Sequence, residues 1–449
     1  MKKVLLKVNS LRVELIHPNQ PNSLDSHLDP PLGLLLIASS IRNSSDAKVV
    51  VTDLTDKEYF DANKIGVADV YGITVYAPTV DISKEIIKTC RLRNEKAVIV
   101  VGGAHPSAVP LDFTDIADFV VVGEGEKVMA KLVRSLELGV RLFQTNSTSK
   151  ILYGEKAKVF FPSYDLVDLK SYSRHIDGIK SVPIITSRGC SFSCSFCGLN
   201  YLHKLSGVRL FDEEIIQEHL SKIYGFSRDL FRLTGHLKAL NIQDDIFTYN
   251  KKRLFNILNI IKTYGFKFRC MGRSGYDVEE TYEKLAESGC TQVSWGIESG
   301  SQYMLDRMNK KCKISDNYDV IGWAKKYGIN SRAFFVLFFP GETKETLEET
   351  KRFIEKSEPD QVFVSSMVPY PATDVYENPK KYGIIKLNKD YSQYYQVGKD
   401  GMGPILSFET EWLNRFEARE LEIDFRDWIK NNVKFKGQIQ DYEAKLVAV

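Results

Sequence analysis

Short apolar runs rich in β-branched residues alternate with amphipathic segments along most of this chain, and that alternation admits few folds. In the first part the runs are Val4-Leu5-Leu6, Val49-Val50-Val51, Val70 to Val75, Val98 to Val101 and Phe119 to Val122. They are apolar on both faces, as strands of a parallel sheet covered by helices on both sides must be. Between them Ile82, Ile86, Ile87 and Cys90 recur at helical spacing, as do Val128, Met129, Leu132, Val133 and Leu136. The expectation is a doubly wound, Rossmann-like α/β domain over residues 1–140. Residues 141–180 are polar and irregular, with Asn146-Ser147-Thr148-Ser149, and read as a linker. A second βα series begins at Val182, with strands expected at 183–187, 239–243, 266–271, 292–297, 332–338 and 361–368. Leu254, Ile257, Leu258 and Ile261 mark one helix between them; Leu347 and Ile354 mark another, opened by Thr343 as N-cap. Six such units over 181–376 make a partial (β/α)6 barrel. Residues 377–449, with Tyr391, Tyr394, Tyr395 and Trp412, are expected to form a small α+β region over the barrel mouth.

Length and charge narrow the function classes. A chain of 449 residues holds two or three domains, and 43% apolar with 27% charged residues allows a real core. A formal net charge of +3 without a Lys/Arg run gives no nucleic-acid footprint. No apolar stretch reaches the roughly 20 residues of a membrane span. The start, Met1-Lys2-Lys3-Val4-Leu5-Leu6-Lys7, reads as a strand rather than a signal peptide, because Lys7 and Asn9 break its apolar run. Of seven cysteines, Cys190, Cys194 and Cys197 cluster while Cys90, Cys270, Cys290 and Cys312 are scattered. That is no disulfide framework, and it fits a reducing cytoplasm.

The cluster lies in Arg188-Gly189-Cys190-Ser191-Phe192-Ser193-Cys194-Ser195-Phe196-Cys197-Gly198, in the loop after the first strand of the second series. Iron–sulfur clusters are held by thiolates, and four irons call for four ligands. Three cysteines leave one iron open for a chelating substrate. A structural zinc loop is the alternative, with His203 as its best fourth ligand, but zinc sites usually pair two CxxC units or add His at set spacing.

CxxxCxxC in this position resembles the radical S-adenosylmethionine (SAM) superfamily. Gln243-Asp244-Asp245-Ile246-Phe247-Thr248, Trp295 to Gln302, Pro340-Gly341-Glu342-Thr343 and Pro369-Tyr370-Pro371 resemble the subgroup with an N-terminal cobalamin-binding domain. So do Pro30-Pro31-Leu32-Gly33-Leu34, Gly102-Gly103-Ala104-His105-Pro106 and Gly123-Glu124-Gly125-Glu126. The resemblance implies a [4Fe–4S] cluster on Cys190, Cys194 and Cys197, with SAM chelating the open iron. It places Phe196 near adenine and Glu298 and Ser299 near the ribose or amino-acid end. One of Asp244 and Asp245 would take the methionyl ammonium and the other cap a helix. Arg273 would pair with the methionyl carboxylate or form an ordinary ion pair. Phe338-Phe339 stand where a small residue is usual before Pro-Gly-Glu-Thr, and Ala372 stands where glycine is usual after Pro-Tyr-Pro.

For cobalamin the resemblance implies contacts from Thr74, Val75, Tyr76, Gly102, Gly103, His105, Gly123, Glu124 and Gly125, at strand ends where open α/β sheets bind ligands. No Asp-x-His-x-x-Gly motif is present, so a cofactor without a histidine lower ligand is expected. A domain of this shape without cobalamin is the competing reading. The implied reaction is reductive cleavage of SAM to a 5′-deoxyadenosyl radical, hydrogen abstraction from an unactivated carbon of a small-molecule substrate, and methylation of that carbon. The electron would come from a donor such as flavodoxin or ferredoxin. Radical oxidation, deoxygenation, cyclisation or rearrangement is the alternative chemistry. A non-catalytic cobalamin-binding module is the alternative class, and the cysteine loop speaks against it.

Overall fold

The apolar runs become the strands of two separate sheets in a computed structural model, which describes residues 10–20, 22, 25–140, 150–201, 207–234, 238–395 and 406–433. The expected strand at Val4-Leu5-Leu6, the stretch Asn146 to Ser149 and His203 lie outside the described residues. The chain divides into two units: Met1–Pro21 with Pro30–Ser171, and Asn22–Asp29 with Tyr172–Val449.

The first unit is built on β1 (Arg12–His17), β2 (Lys48–Asp53), β3 (Val70–Thr74), β4 (Val98–Gly102), β5 (Phe119–Val122) and β6 (Ile151–Tyr153). All five pairings are parallel, in the order β2-β1-β3-β4-β5-β6. The chain reverses direction across the sheet between β1 and β3, and such a switch point opens a crevice at the carboxyl edge. Strand β1 escapes a reading by apolar runs because Arg12 and Glu14 interrupt it. Glu14 is nevertheless buried; its carboxylate accepts from Thr52 Oγ1 at 2.6 Å and from the Gly66 amide at 3.1 Å. A buried charge is tolerated when its hydrogen bonds are made. The helices Leu32–Arg42 and Glu126–Glu137 pack against each other, and the helix Val80–Arg93 buries the expected Ile86, Ile87 and Cys90.

The expected linker is partly something else. Residues 150–171 belong to the first unit, where Val120, Val121 and Val122 pair with Ile151, Leu152 and Tyr153. Ser163 Oγ meets Ser39 Oγ at 2.8 Å in the interior, and Arg42 Nη1 donates to both oxygens of Asp165 at 2.9 Å. A three-residue strand is too short to show a period, which is why the segment reads as irregular.

The second unit holds β7 (His175–Ile176), β8 (Ile179–Ile184), β9 (Ser187–Arg188), β10 (Arg209–Leu210), β11 (Ala239–Ile242), β12 (Lys267–Met271), β13 (Cys290–Glu298), β14 (Asn330–Leu337), β15 (Gln361–Ser366), β16 (Ile384–Leu387) and β17 (Phe408–Thr410). Six parallel strands, in sheet order β15-β14-β13-β12-β11-β8, form the expected partial barrel, and β7 adds an antiparallel edge. Thr343 caps the helix Lys344–Ser357, as expected, accepting from the Thr346 amide. The tail adds the antiparallel pair β16–β17 and the helix Arg415–Asn432. That helix packs on Lys344–Ser357, and Arg426 Nη2 donates to the Val364 carbonyl at 3.1 Å. It therefore covers the outer strand β15 and blunts an exposed sheet edge, while Tyr382 and Tyr394 of the tail meet Phe339 and Tyr370, which follow β14 and β15.

Candidate active site at the cysteine loop

The cysteine loop leaves the barrel after β8 and is clamped at its root. Asp244, at the carboxyl end of β11 and buried, accepts from the Thr186 amide and hydroxyl at 2.6 Å each and from Ser187 Oγ at 2.5 Å. Asp245 accepts from the Gly189 amide at 2.7 Å, and Gly189 sits at φ +100°, where a side chain would be strained. Arg253, also buried, donates to the Thr186 carbonyl. Asp244 is thus engaged with the root of the loop through Thr186 and Ser187.

The far side of the loop is held by the turn after the helix Gln302–Arg307. Ser195 donates from its amide and hydroxyl to the Met308 carbonyl at 3.0 and 3.1 Å. Asn309 Nδ2 donates to the Ser193 carbonyl at 2.7 Å. Asn309 and Lys311 take φ values of +53° and +57°, which turn this segment onto the loop. Cys194 is buried, while Cys190 and Cys197 are half-buried. Burial pushes the Cys190 thiol up and that of Cys197 to about 11, each with the neighbouring cysteine charges adding to it. Cys190 and Cys197 therefore favour the thiol form, so metal binding by them would release protons.

Arg273, after β12, lies against the cysteine loop. Its Nη1 and Nη2 each lie 3.9 Å from Cys194 Sγ, Nη2 also donates to the Lys310 carbonyl, and its guanidinium carbon stands 3.6 Å over the Phe192 ring centroid. Glu298 ends β13 and forms a buried ion pair with Lys310, Oε1 to Nζ 2.7 Å. Its backbone φ is +65°, after a register shift between Gly296 and Glu298. A Cβ on Gly296 would lie 2.1 Å from Glu298 Oε1, so glycine there makes room for the carboxylate. Ser299 turns away from this pair: its hydroxyl meets Thr350 Oγ1 at 3.2 Å and accepts from the Ser301 amide at 3.1 Å. Its place is at the start of the next helix, because a buried hydroxyl takes the nearest partners. Phe196 is half-buried and meets Phe339 edge to face, ring centroids 6.3 Å apart. Phe338 has φ +64° with its amide donating to Glu342 Oε2 at 2.9 Å, and burial raises the Glu342 carboxyl to about 7. Ala372 has φ +64° as well. Glycine is usual there because only glycine adopts that backbone without cost. Left-handed backbone at Glu298, Phe338 and Ala372 thus follows three adjacent strands, the kind of strain that gathers at functional sites.

In the first unit the expected ligand edge divides into surface and support. Tyr76 is 39% exposed and Thr74 half-buried. Gly123, at φ +87°, has room: a Cβ there would find its nearest neighbour at 4.0 Å. Val75 is fully buried, and its amide and carbonyl bond the Gly102 carbonyl and the His105 amide at 2.8 and 3.1 Å. A Cβ on Gly103 would meet Thr74 Oγ1 at 2.8 Å and Val75 backbone at 2.9 Å, and one on Gly125 would meet Ile37 at 3.3 Å. The His105 ring is buried, with Nε2 2.8 Å from Asp112 Oδ2 and its edge toward Phe113. Gly102 meets only ordinary contacts with Val121, and the backbone of Glu124 lies against Gly154. Val75, Gly103, Gly125 and His105 therefore hold the edge together by close packing and hydrogen bonds. Gly103→Val should destabilise the first unit by at least about 2 kcal/mol through strain and overpacking. Thermal unfolding monitored with and without cobalamin checks it: a variant as stable as the parent would show that the close packing at Gly103 carries no weight in stability.

The Radical SAM superfamily matches residues 184–354, and the B12 binding domain matches residues 28–133. An uncharacterized methyltransferase of Pyrococcus horikoshii is 30% identical over 421 residues, covering 88% of this chain and 87% of that protein. The chain belongs to the radical SAM superfamily, in the subgroup with an N-terminal B12-binding domain. A bacteriochlorophyllide d C-8(2)-methyltransferase of Chlorobaculum tepidum is 28% identical, over 76% of this chain and 75% of that protein. The solved radical SAM methyltransferase TsrM from Kitasatospora setae, with cobalamin and a [4Fe–4S] cluster bound, is similar at a TM-score of 0.66. It has 17% identity and covers 84% of this chain and 79% of that one.

The residues of this radical SAM enzyme fit a cluster. The charges of Cys190 and Cys194 both bear on the Cys197 thiol, and a cation stands beside Cys194. Among the described residues no three His, Cys, Asp or Glu converge on a single-ion site. A cluster does not require that, because it spreads three thiolates over three irons. Sequence reasoning missed two residues here. Lys310 has no motif signal, being one lysine of a Lys-Lys pair. His17, at the end of β1 with Nδ1 3.1 Å from Asp53 Oδ1, stands at the switch point but is a lone histidine in the sequence. Among the described residues no helix is long and apolar enough to cross a membrane.

Proposed function

We propose that this radical SAM enzyme is a cobalamin-dependent methyltransferase acting on an unactivated carbon of a small molecule. The observation that carries the reading is the pairing, in one chain, of a clamped three-cysteine loop on a partial barrel with a B12-type sheet whose switch-point edge offers Thr74, Tyr76 and Gly123. The similarity to methyltransferases supports it. When bound, the cluster supplies the electron that splits SAM into methionine and a 5′-deoxyadenosyl radical, and the cobalamin supplies the methyl group.

The chain's own residues bind and orient. Cys190, Cys194 and Cys197 hold the cluster, and Asp244 and Asp245 fix the loop that carries them. Glu298 and Lys310 form a buried pair of opposite charges, which matches the ammonium and carboxylate of a zwitterionic amino acid. Phe196 and Phe339 offer an apolar wall to adenine. Cys194 and Arg273 themselves are shielded from water. An acidic one-electron donor of the flavodoxin or ferredoxin class supplies the reducing equivalent, in the reducing cytoplasm that an oxygen-sensitive cluster needs.

The test uses full-length protein loaded anaerobically with iron, sulfide and hydroxocobalamin, reduced, and given SAM carrying a trideuterated methyl group. The expected result is a labelled methyl group on protein-bound cobalamin and release of S-adenosylhomocysteine. Failure to take up cobalamin in protein that does load iron would overturn methylation in favour of a radical oxidation or rearrangement.

A further inference from the structure

We propose that Arg273 sets the reduction potential of the cluster by placing a positive charge and two N–H donors against the sulfur of Cys194. This rests on the cluster reading above. Iron–sulfur potentials respond to hydrogen bonds to the ligand sulfurs, net charge and solvent exposure. Arg273 engages the first two, and its burial the third: Arg273 and Cys194 are each 6% exposed, so water screens their interaction little. Both terminal nitrogens lie 3.9 Å from Cys194 Sγ.

The guanidinium is fixed from two sides, and the backbone that carries it is anchored as well. Its face lies 3.6 Å from the Phe192 ring centroid, Nη2 donates to the Lys310 carbonyl, and the Arg273 amide donates to Asp277 Oδ2 at 3.1 Å. Asp277 is itself held by Tyr282, whose hydroxyl donates at 2.8 Å and accepts from Trp295 Nε1 at 2.9 Å. Among the described residues no carboxylate is within ion-pair distance of this guanidinium, whereas the neighbouring Lys310 is neutralised by Glu298 at 2.7 Å. The charge of Arg273 is therefore directed at the sulfur.

Reduction adds one electron from the external donor and one negative charge to the cluster. A cation fixed at a ligand sulfur favours that reduced state and raises the potential. Arg273→Met should weaken reduction about tenfold, which for a one-electron couple is about 59 mV more negative. Arg273→Lys, which keeps the charge, should recover at least half of that. The measurement is an anaerobic redox titration of the reconstituted full chain without SAM, followed by the electron paramagnetic resonance signal of the reduced cluster. Iron and sulfide are counted in each sample.

Equal potentials in the parent and both variants, at equal iron content, would overturn the proposal while leaving the cluster reading intact. A parent protein that holds no iron would instead overturn the cluster reading. Should Arg273→Met lose its cluster, Phe192→Ala decides the matter. It removes the stacking surface and should lower the potential by a smaller amount; an unchanged or raised potential would count against Arg273.

Discussion

Replacing Cys190, Cys194 and Cys197 together by alanine should take the anaerobically reconstituted protein from about four irons and four sulfides per chain to none. Formation of 5′-deoxyadenosine from SAM should disappear with them. The fold should survive, because the loop does not depend on its thiols for its place. Asp244 and Asp245 hold its root through Thr186, Ser187 and Gly189, and Met308 and Asn309 hold its far side through Ser195 and Ser193. Circular dichroism and cobalamin uptake should therefore match those of the parent. Zinc in place of iron in the anaerobically purified parent, or iron retained by the triple variant, would sink the assignment of these cysteines.

Lys310→Met should cost about 3–5 kcal/mol, because it strips the partner from a carboxylate that stays buried. Lys310 and Glu298 side chains are 6% and 9% exposed, and the strained backbone at Glu298 leaves the carboxylate little freedom to find water. Adding Glu298→Gln to Lys310→Met should restore most of the loss, since removing both charges of a buried pair is often nearly neutral. Denaturant unfolding of the parent, both single variants and the double variant measures this coupling. A single-variant cost under about 1 kcal/mol would mean that the pair behaves like an exposed one. SAM affinity should fall in all three variants even where stability returns, because the double variant offers no charges to a zwitterion. Unchanged affinity would make the pair purely structural.

Much of the fold was legible because burial leaves a mark on composition. Strands β2 to β5 carry the near-continuous apolar runs that a covered parallel sheet demands, while a barrel strand such as β12 alternates buried Phe268 and Cys270 with the more exposed Lys267 and Arg269. Strand β1 was hidden by Glu14, whose burial is satisfied by Thr52 and Gly66, residues far from it in the chain. Strand β6 was hidden by its length. Ala372 shows how local geometry gives meaning to a departure: its left-handed backbone is the reason glycine is usual there.

The sequence by itself determined the kind of chemistry. Three cysteines at that spacing, after the first strand of a βα series, need no tertiary information to be read as cluster ligands, because ligand type and count set what they can hold. Only the tertiary structure decided which partners the polar residues take. Asp244 and Asp245 are neighbours in the chain, yet one clamps Thr186 and Ser187 while the other holds Gly189. Arg273 lies against Cys194, Ser299 against Thr350 and His105 against Asp112. The physical reason is that a polar side chain in a low-dielectric interior binds the nearest partner that satisfies it. That partner is set by the packing of distant segments, which no local pattern encodes. Lys310 is the clearest case: an ordinary lysine in the sequence becomes half of a buried ion pair because its turn folds onto the cysteine loop.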